Sequence, residues 1–191
     1  RQEVLDSPIG IDGLVFQTQS ADNTYASLSK AKHSVQAVQA FSRPVELDGM
    51  TYLASFRTTR FSPGTFPAGR VYFCQHLTPE LVWRKEWQSH ANQAIRTSAF
   101  LIVANKPAQE AKKYLAASQG ALIKGVYGEY RIRGQHYELV FVTPTQYAEC
   151  YGALSCQQHS QQSETRESFF GAIALQTQNL ASVKSRVILT Q

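Results

Sequence analysis

The segment GLVFQTQ, at residues 13–19, returns near the other end of the chain as GAIALQTQ, at residues 171–178. Each segment is a short apolar run that ends in Gln-Thr-Gln and is followed by apolar residues at helical spacing. After the first run, the apolar residues are Tyr25, Leu28 and Ala31, and Asp22 is the predicted helix cap. After the second run, they are Leu180, Val183 and Val187, and Asn179 is the predicted cap. This pattern predicts a strand followed by a helix, a unit that the chain uses twice.

A third copy of the pattern lies between these two. The run AFLIVA, at residues 99–104, leads into a helical stretch with Pro107 in its first turn and Gly120 at its end. Three strand-like segments follow the first helix and three follow the middle helix. They are residues 36–41, 51–57 and 70–76, then residues 121–127, 129–133 and 137–142. The predicted repeat is therefore strand, helix, strand, strand, strand (βαβββ).

The repeats divide the chain into four parts. We predict a βαβββ unit with a following lid loop over residues 1–94, a second βαβββ unit over 95–152, a polar linker over 153–168, and the start of a further unit over 169–191. The whole stretch 144–168 is polar and aperiodic, which predicts surface chain rather than core. Too few residues follow the last helix to form three strands of ordinary length. We therefore expect a truncated sequence, or one that lacks an intervening loop.

Composition narrows the class of protein. The chain has 191 residues, 43% of them apolar and 17% charged, which predicts a soluble globular protein. No apolar run approaches the roughly 20 residues that span a bilayer, so no membrane partner is expected. The net charge is +5, but the cations are spread along the chain, so no nucleic-acid partner is expected either. Three cysteines without a metal or redox spacing favour a reducing, cytoplasmic location.

Three further segments make the chain resemble a known family. They are SRPVEL at residues 42–47, AGRVYFCQHLTPELVW at residues 68–83, and a His-x-Asn motif at residues 90–92. Together with the βαβββ repeats, they resemble the glyoxalase-like proteins of bacteria, within the vicinal oxygen chelate superfamily. The resemblance implies an α+β fold in which repeated units form curved mixed sheets around a cleft, as in glyoxalases, bleomycin-resistance proteins and dihydroxybiphenyl dioxygenases.

The resemblance also implies a metal site, which the residues support poorly. Many of these enzymes hold a divalent metal with His, Gln and Glu from the first and last strands of paired units. At the first-strand positions this chain has Gly13 and Ala99, which cannot coordinate a metal. At the last-strand positions it has Glu138 and the pair Gln75 and His76, whose side chains point to opposite faces of a strand. The metal, and any other cofactor, is left unassigned.

Two residues are candidates for catalysis. His76 ends a strand that would line the cleft, and its imidazole titrates near neutral pH. It is a candidate general base or ligand, or a residue that orders the following turn. Glu138 is a carboxylate within an apolar strand, YELVFV. Such a group is either functional or paired with an arginine, here Arg131 or Arg133.

Seven residues are candidates for binding substrate: Arg43, Arg60, Gln75, Trp83, Trp87, His90 and Asn92. An arginine can hold a carboxylate with two parallel hydrogen bonds, so one of Arg43, Arg57 and Arg60 would anchor an anionic substrate, and the other two would be surface charges. The two tryptophans are four residues apart and could share a helical face, as a stacking wall for the ligand or as a lid packed on the sheet. Asn92 also suits a plain turn.

The resemblance implies a small polar or aromatic molecule bound in the cleft. An enzyme of this type would be a lyase, isomerase or oxygenase that acts next to a carbonyl or vicinal diol. The alternative is a protein of the bleomycin-resistance kind, which binds and sequesters a small molecule without chemistry. The missing first-strand histidines favour binding, whereas His76, His90 and Glu138 favour an enzyme. A scaffold that assembles with another chain, including a homo-oligomer, is a third interpretation.

Overall fold

The computed structural model describes residues 10–152 and 167–181. It has nine strands and three α-helices in these ranges, with two single-turn 3-10 helices after the fourth strand. The first unit consists of β1 (Gly13–Gln17), α1 (Ala21–Lys30), β2 (Gln39–Leu47), β3 (Met50–Arg60) and β4 (Arg70–His76). The second consists of β5 (Ala94–Ala104), α2 (Pro107–Ser118), β6 (Ala121–Lys124), β7 (Tyr130–Arg133) and β8 (Glu138–Val142). Helix α3 (Pro144–Tyr151) and strand β9 (Ser168–Thr177) follow.

The predicted α+β fold of repeated βαβββ units is confirmed. The first unit forms a four-stranded mixed sheet in the order β1-β4-β3-β2, and the second adopts the same order with β9 added beside β5. In each unit the first and last strands run parallel to each other, while the last three strands form antiparallel pairs. The hairpin between β2 and β3 turns at Asp48 and Gly49, which both have positive φ angles, as a two-residue type I′ turn requires.

The N-cap of helix α1 lies two residues before the predicted cap, whereas α2 has Pro107 in its first turn as predicted. Ser20, rather than Asp22, is the N-cap of α1, because its hydroxyl accepts a hydrogen bond from the backbone N–H of Asn23. Asp22 instead lies in the first turn and accepts a hydrogen bond from Arg57 at 2.9 Å. Three of the four residues at positions 20–23 have side chains that can cap a helix, namely Ser20, Asp22 and Asn23, and the folded structure assigns their roles.

The strand predicted to open the third repeat joins the second sheet. Strand β9 pairs antiparallel with β5, with Phe100 opposite Ile173 and Ile102 opposite Phe170. A helical turn begins at Leu180, but most of the helix predicted after β9, with Val183 and Val187, lies outside the described residues. The linker predicted over 153–168 also lies outside them up to residue 166.

The expectation of surface chain over residues 144–168 is wrong for its first part. Residues Pro144–Tyr151 form α3, which is held by a capping box between Thr143 and Gln146. Tyr147 from this helix is buried against Val103 and Val140 of the second sheet. Of the two tyrosines in this eight-residue helix, Tyr147 is buried and Tyr151 is 50% exposed, and one pair at helical spacing is too short a pattern to predict a helix.

One hydrophobic core joins the two units. The rings of Phe66, before β4, and Tyr114, on α2, lie 4.5 Å apart, and those of Phe16 and Tyr137 lie 5.7 Å apart. Strand residues that face α1 and α2 complete this core, among them Leu14, Val71, Phe73, Ile102, Leu139 and Phe141. The longest α-helix in residues 10–152 and 167–181 has twelve residues, and no helix there is long and apolar enough to cross a membrane.

Candidate functional site

Strand alternation gives the first sheet two chemically different faces. On β4, Val71 and Phe73 point into the core with α1, and Gln75 follows them on the same face. The side-chain oxygen of Gln75 accepts a hydrogen bond from the backbone N–H of Ala21, the first residue of α1, at 3.0 Å. His76 therefore points to the other face, which we call the His76 face. That face carries the side chains of Phe41, Arg43, Phe56, Thr58, Arg60, Tyr72, Cys74 and His76.

His76 lies between two aromatic side chains. Its ring meets the edge of Phe56 at 5.0 Å and stacks on Trp83 at 5.5 Å. The Nδ1 atom is buried and has no hydrogen-bond partner within the described part of the chain. Burial also lowers the pKa of His76 below its ordinary value. The imidazole is therefore neutral at pH 7 and keeps a proton-accepting nitrogen.

Arg60 supplies a positive charge on the His76 face, at the end of β3 and opposite Tyr72. Its guanidinium lies over the ring of Tyr72 at 5.3 Å, and its Nε atom is buried without a hydrogen-bond partner in residues 10–152 and 167–181. Thr58 lies opposite Cys74 in the β3–β4 register, and its buried hydroxyl also has no described partner. Burial raises the pKa of the Cys74 thiol, and the nearby charge of Arg60 opposes that shift.

Arg43 lies on the same face, two strands away from His76. It sits on the outer strand β2, where its guanidinium is over the ring of Phe41 at 5.6 Å. Phe41 stacks on Phe56 at 5.3 Å, so an aromatic row runs from the edge of the sheet to His76. The structure thus places Arg43, Arg60 and His76 along one continuous surface.

The loop after β4 does not form the α-helix that would put Trp83 and Trp87 on one face. It contains two separate 3-10 turns, Pro79–Leu81 and Lys85–Trp87. Trp83 packs on His76 yet is 57% exposed, whereas Trp87 is 46% exposed and packs under the guanidinium of Arg84 at 5.6 Å. Because the chain does not form one continuous helix from Trp83 to Trp87, the four-residue spacing does not place the two indoles on the same side.

His90 and Asn92 lie further along the chain, at the entry to β5. The side-chain oxygen of Asn92 accepts a hydrogen bond from the backbone N–H of Ala94 at 3.1 Å, which stabilises the turn. His90 borders a separate shallow groove of about 280 Å³, together with Lys85, Gln88 and Gln178. No described contact joins either residue to His76.

Glu138 lies on the second sheet, in a different environment from His76. Arg133 Nε and Arg131 Nη1 donate to its two carboxylate oxygens, each at 2.8 Å. These hydrogen bonds hold the pKa of Glu138 below its ordinary value despite partial burial, and the bond from Arg133 has the largest effect. Glu129 also accepts from Arg131, at 2.9 Å, so the carboxylates and guanidinium groups form one ion-pair network.

Comparison with known proteins then decides the family. A family model described as a glyoxalase-like domain matches residues 2–118, more than half of the chain. The chain belongs to the glyoxalase-like domain family. The match includes the whole His76 face and ends with α2. It confirms the assignment to the vicinal oxygen chelate superfamily that the repeats and motifs predicted.

One solved structure supports the fold of this chain, and a second matches it more weakly. A hypothetical protein from Staphylococcus aureus matches with a TM-score of 0.54 and 8% sequence identity, over 66% of this chain and 50% of that protein. The chain thus spans about half the length of that protein. A lactoylglutathione lyase from Agrobacterium tumefaciens matches with a TM-score of 0.31 and 13% identity, over 76% of this chain and 98% of the other. No curated protein sequence matches significantly.

The described residues of the domain do not fit the divalent metal that the superfamily implies. No three His, Cys, Asp or Glu side chains converge within residues 10–152 and 167–181. Gly13 and Ala99 bring no donor atom from the first strands. His76 and Gln75 point to opposite faces, and the two oxygens of Glu138 are occupied by arginines. We derive no chemical step through a metal.

Several residues of the His76 face were not among the sequence candidates. Phe56, Thr58, Tyr72 and Phe41 line it beside the predicted His76, Arg60 and Arg43. Side chains alternate between the two faces of a strand, so every second residue from a candidate on β3 or β4 must lie on the same face as that candidate. The sequence therefore indicated these residues. Chemical reactivity by itself does not distinguish a threonine or a phenylalanine in a binding site from one elsewhere in a strand.

Proposed function

We propose that this glyoxalase-like domain binds a small planar organic anion, such as an aromatic carboxylate, on the His76 face. One observation carries the proposal: Thr58 Oγ1, Arg60 Nε and His76 Nδ1 are all buried on this face without a hydrogen-bond partner among the described residues. A buried polar atom left unpaired costs about 1–3 kcal/mol. A carboxylate that moves the covering side chains apart would accept from the hydroxyl and the guanidinium, and would remove part of that cost.

The aromatic side chains support a planar ligand. Phe41, Phe56, His76 and Trp83 form a continuous series of ring contacts, and Trp83 leaves more than half of its surface available. Stacking on such rings contributes through area burial and ring electrostatics. Arg43, exposed at the end of the series, adds a second positive charge at the rim. Gln75, which holds α1, is outside the proposed site.

Tryptophan fluorescence can test the proposal directly. The chain has two tryptophans, so Trp87→Phe leaves Trp83 as the single reporter. We expect benzoate-type carboxylates to quench Trp83, and the matching uncharged amides to bind more weakly. Replacing Arg60 by Gln should lower the carboxylate affinity about 10- to 100-fold, because a hydrogen bond to a charged group contributes about 1.5–3 kcal/mol.

Arg57→Gln is the matched control for the Arg60 variant. Arg57 is on the same strand but points to the opposite face, where it pairs with Asp22. Its replacement should leave carboxylate binding unchanged. Equal losses in the Arg57 and Arg60 variants, or no discrimination between carboxylate and amide, would contradict the proposed site.

A second candidate function is enzymatic, with His76 as general base. The lowered pKa of His76 supports it, because a neutral imidazole can take a proton from a carbon next to a carbonyl. NMR in D2O would show exchange of that proton in a bound keto acid, and His76→Gln should abolish the exchange. Binding without exchange would rule out this function and leave the binding proposal intact.

We also propose that the protein occupies the reducing cytoplasm. Two of its cysteines fall within the described residues, Cys74 buried and Cys150 exposed, and both are free thiols. An exposed free thiol is kept reduced in that compartment. Detection of an oxidised Cys150 in protein isolated under thiol-blocking conditions would count against it.

A further inference from the structure

The two βαβββ units have equivalent outer faces, which point away from α1 and α2, and α3 covers one of them. Strands β4 and β8 hold the same place in their sheets, each parallel to the first strand of its unit. Their registers begin at Arg70 and Glu138, so Val140 takes the place that Tyr72 has on the His76 face. In the second unit this face is apolar, and α3 packs on it.

Tyr147 is the buried residue of α3, with a side chain that is 4% exposed. Its ring packs on valines of β5 and β8 and meets the ring of Phe169 edge-on at 5.7 Å. Its hydroxyl donates to Gly171 O at 2.7 Å. A phenol group thus fills an apolar pocket that offers a backbone carbonyl to the hydroxyl. We call this place the Tyr147 pocket; its walls are Val103, Val140, Val142, Phe169 and Gly171.

A β-bulge in β9 shapes the Tyr147 pocket. Along β9, the pairing with β5 passes from Phe170 to Ala172 and skips Gly171. A bulged residue is left out of the strand ladder, so its backbone groups are turned to other partners, and such bulges are common next to binding sites. A Cβ on Gly171 would lie 2.8 Å from both Tyr147 and Val103. The bulge therefore supplies the acceptor for the hydroxyl, and the glycine leaves room for the ring.

Helix α3 depends on Tyr147 for its attachment to the sheet. It has eight residues, fewer than the roughly 12–15 that an isolated helix needs for stability in water. A capping box stabilises its first turn, and Gln146 Nε2 donates to Tyr127 O at 2.9 Å in an exposed turn. Because Tyr147 is the buried residue of this short helix, a ligand that replaces the Tyr147 ring would release α3 from the sheet.

We propose that the Tyr147 pocket is a binding site for a neutral phenolic molecule, which displaces α3 and takes the place of the Tyr147 ring. The chain's own tyrosine defines the chemistry that fits, namely a flat ring on the valines and a hydroxyl that donates to Gly171 O. The described cluster around Tyr147 contains no charged side chain, so a carboxylate would lose its hydration there without a charged partner. This site is separate from the His76 face and goes beyond the anion binding proposed there.

Phenol itself is the probe that tests the proposal. Tyr147 competes with the ligand, and an open state populated at about 10% or less lowers the apparent affinity in proportion. Tyr147→Ala removes the competitor, so calorimetry should show phenol binding about 10-fold tighter, or more, than to the unsubstituted chain. Phenol should also bind this variant more tightly than toluene, which has a similar shape but no hydroxyl. Tyr25→Ala, which removes a partly exposed tyrosine of α1, is the control and should bind phenol like the unsubstituted chain.

Hydrogen exchange on the unsubstituted chain gives a readout that needs no variant. The amides of Tyr147 and Gly152 donate to Thr143 O and Ala148 O, so millimolar phenol should speed their exchange as α3 is released. Arg60→Gln should leave this effect unchanged, which separates the Tyr147 pocket from the His76 face. The proposal is overturned if phenol binds Tyr147→Ala no more tightly than toluene does. Unchanged exchange of both amides in the unsubstituted chain overturns it as well, because Tyr147 would then be only a structural anchor.

Discussion

Replacing Glu138 by Gln tests whether this carboxylate is chiefly a structural ion-pair partner. It accepts from Arg131 and Arg133 at 2.8 Å each. The Glu138 side chain is 24% exposed, that of Arg131 34% and that of Arg133 62%, so the bond to Arg131 is the better sheltered. A sheltered hydrogen bond to a charged group contributes about 1.5–3 kcal/mol, and an exposed ion pair about 0.2–1 kcal/mol.

The amide keeps one acceptor oxygen and loses the charge, so we expect Glu138→Gln to lower the free energy of unfolding by about 1–2 kcal/mol at pH 7. For a chain of this length that corresponds to a fall in Tm of about 2–8 °C. Urea unfolding followed by circular dichroism measures the free energy, and Glu149→Gln is the control. Glu149 is exposed on α3 and makes no described ion pair.

The pH dependence has a definite sign. The pKa of Glu138 is lowered in the folded protein by Arg133 and Arg131, so its contribution is fully present above the unfolded pKa of about 4.3. That contribution is lost as the pH falls through the lowered folded-state pKa. The difference in the free energy of unfolding between the unsubstituted chain and Glu138→Gln should therefore decrease as the pH is lowered. Equal free energies of unfolding at pH 7 would refute this reasoning. A difference that persists after the Glu138 carboxylate is protonated would also refute it.

Three further substitutions have expected effects on stability. Tyr114→Phe should leave stability unchanged or raise it by about 1 kcal/mol, since the Tyr114 hydroxyl is fully buried and has no described hydrogen-bond partner; a fall in the urea midpoint would contradict this. Gly69→Ala should lower stability by about 1–3 kcal/mol in the same assay, because Gly69 has a φ of +148° and a Cβ there would lie 2.4 Å from Asp12 O. Gln75→Ala should cost about 1 kcal/mol through the lost bond to Ala21 N, while carboxylate binding at Trp83 stays unchanged; a loss of binding would place Gln75 in the site.

The repeat was the part of the fold that the sequence predicted best. Helix α2 and strands β4 and β8 occupy almost the predicted residues, because each combines a clear apolar pattern with a proline, glycine or polar boundary. Strand β2 was predicted to end at Phe41 but continues to Leu47, through Pro44. A proline is tolerated there because β2 is an edge strand, and edge position is a property of the assembled sheet.

The candidate site was only partly predictable for the same reason. Sequence alternation establishes that Gln75 and His76 face opposite ways, but the side on which α1 packs decides which one joins Arg60 and Arg43. From the sequence, Glu138 could be either catalytic or paired with an arginine. The β7–β8 register decides between these roles, because it brings Arg133 opposite Glu138. Trp83 reaches His76 because the chain turns back at Pro79–Leu81, directly after β4, which the four-residue spacing does not show.

The sequence by itself determined the repeated βαβββ unit, the family, and some of the residues that make up the candidate site. These are encoded locally, by the period of apolar residues and by short motifs within one unit. The tertiary structure alone decided which of those residues share a surface, which charges neutralise each other, and which sheet face α3 covers. Those outcomes depend on the packing of helices on sheets and on strand register, and both join residues that are far apart in the chain.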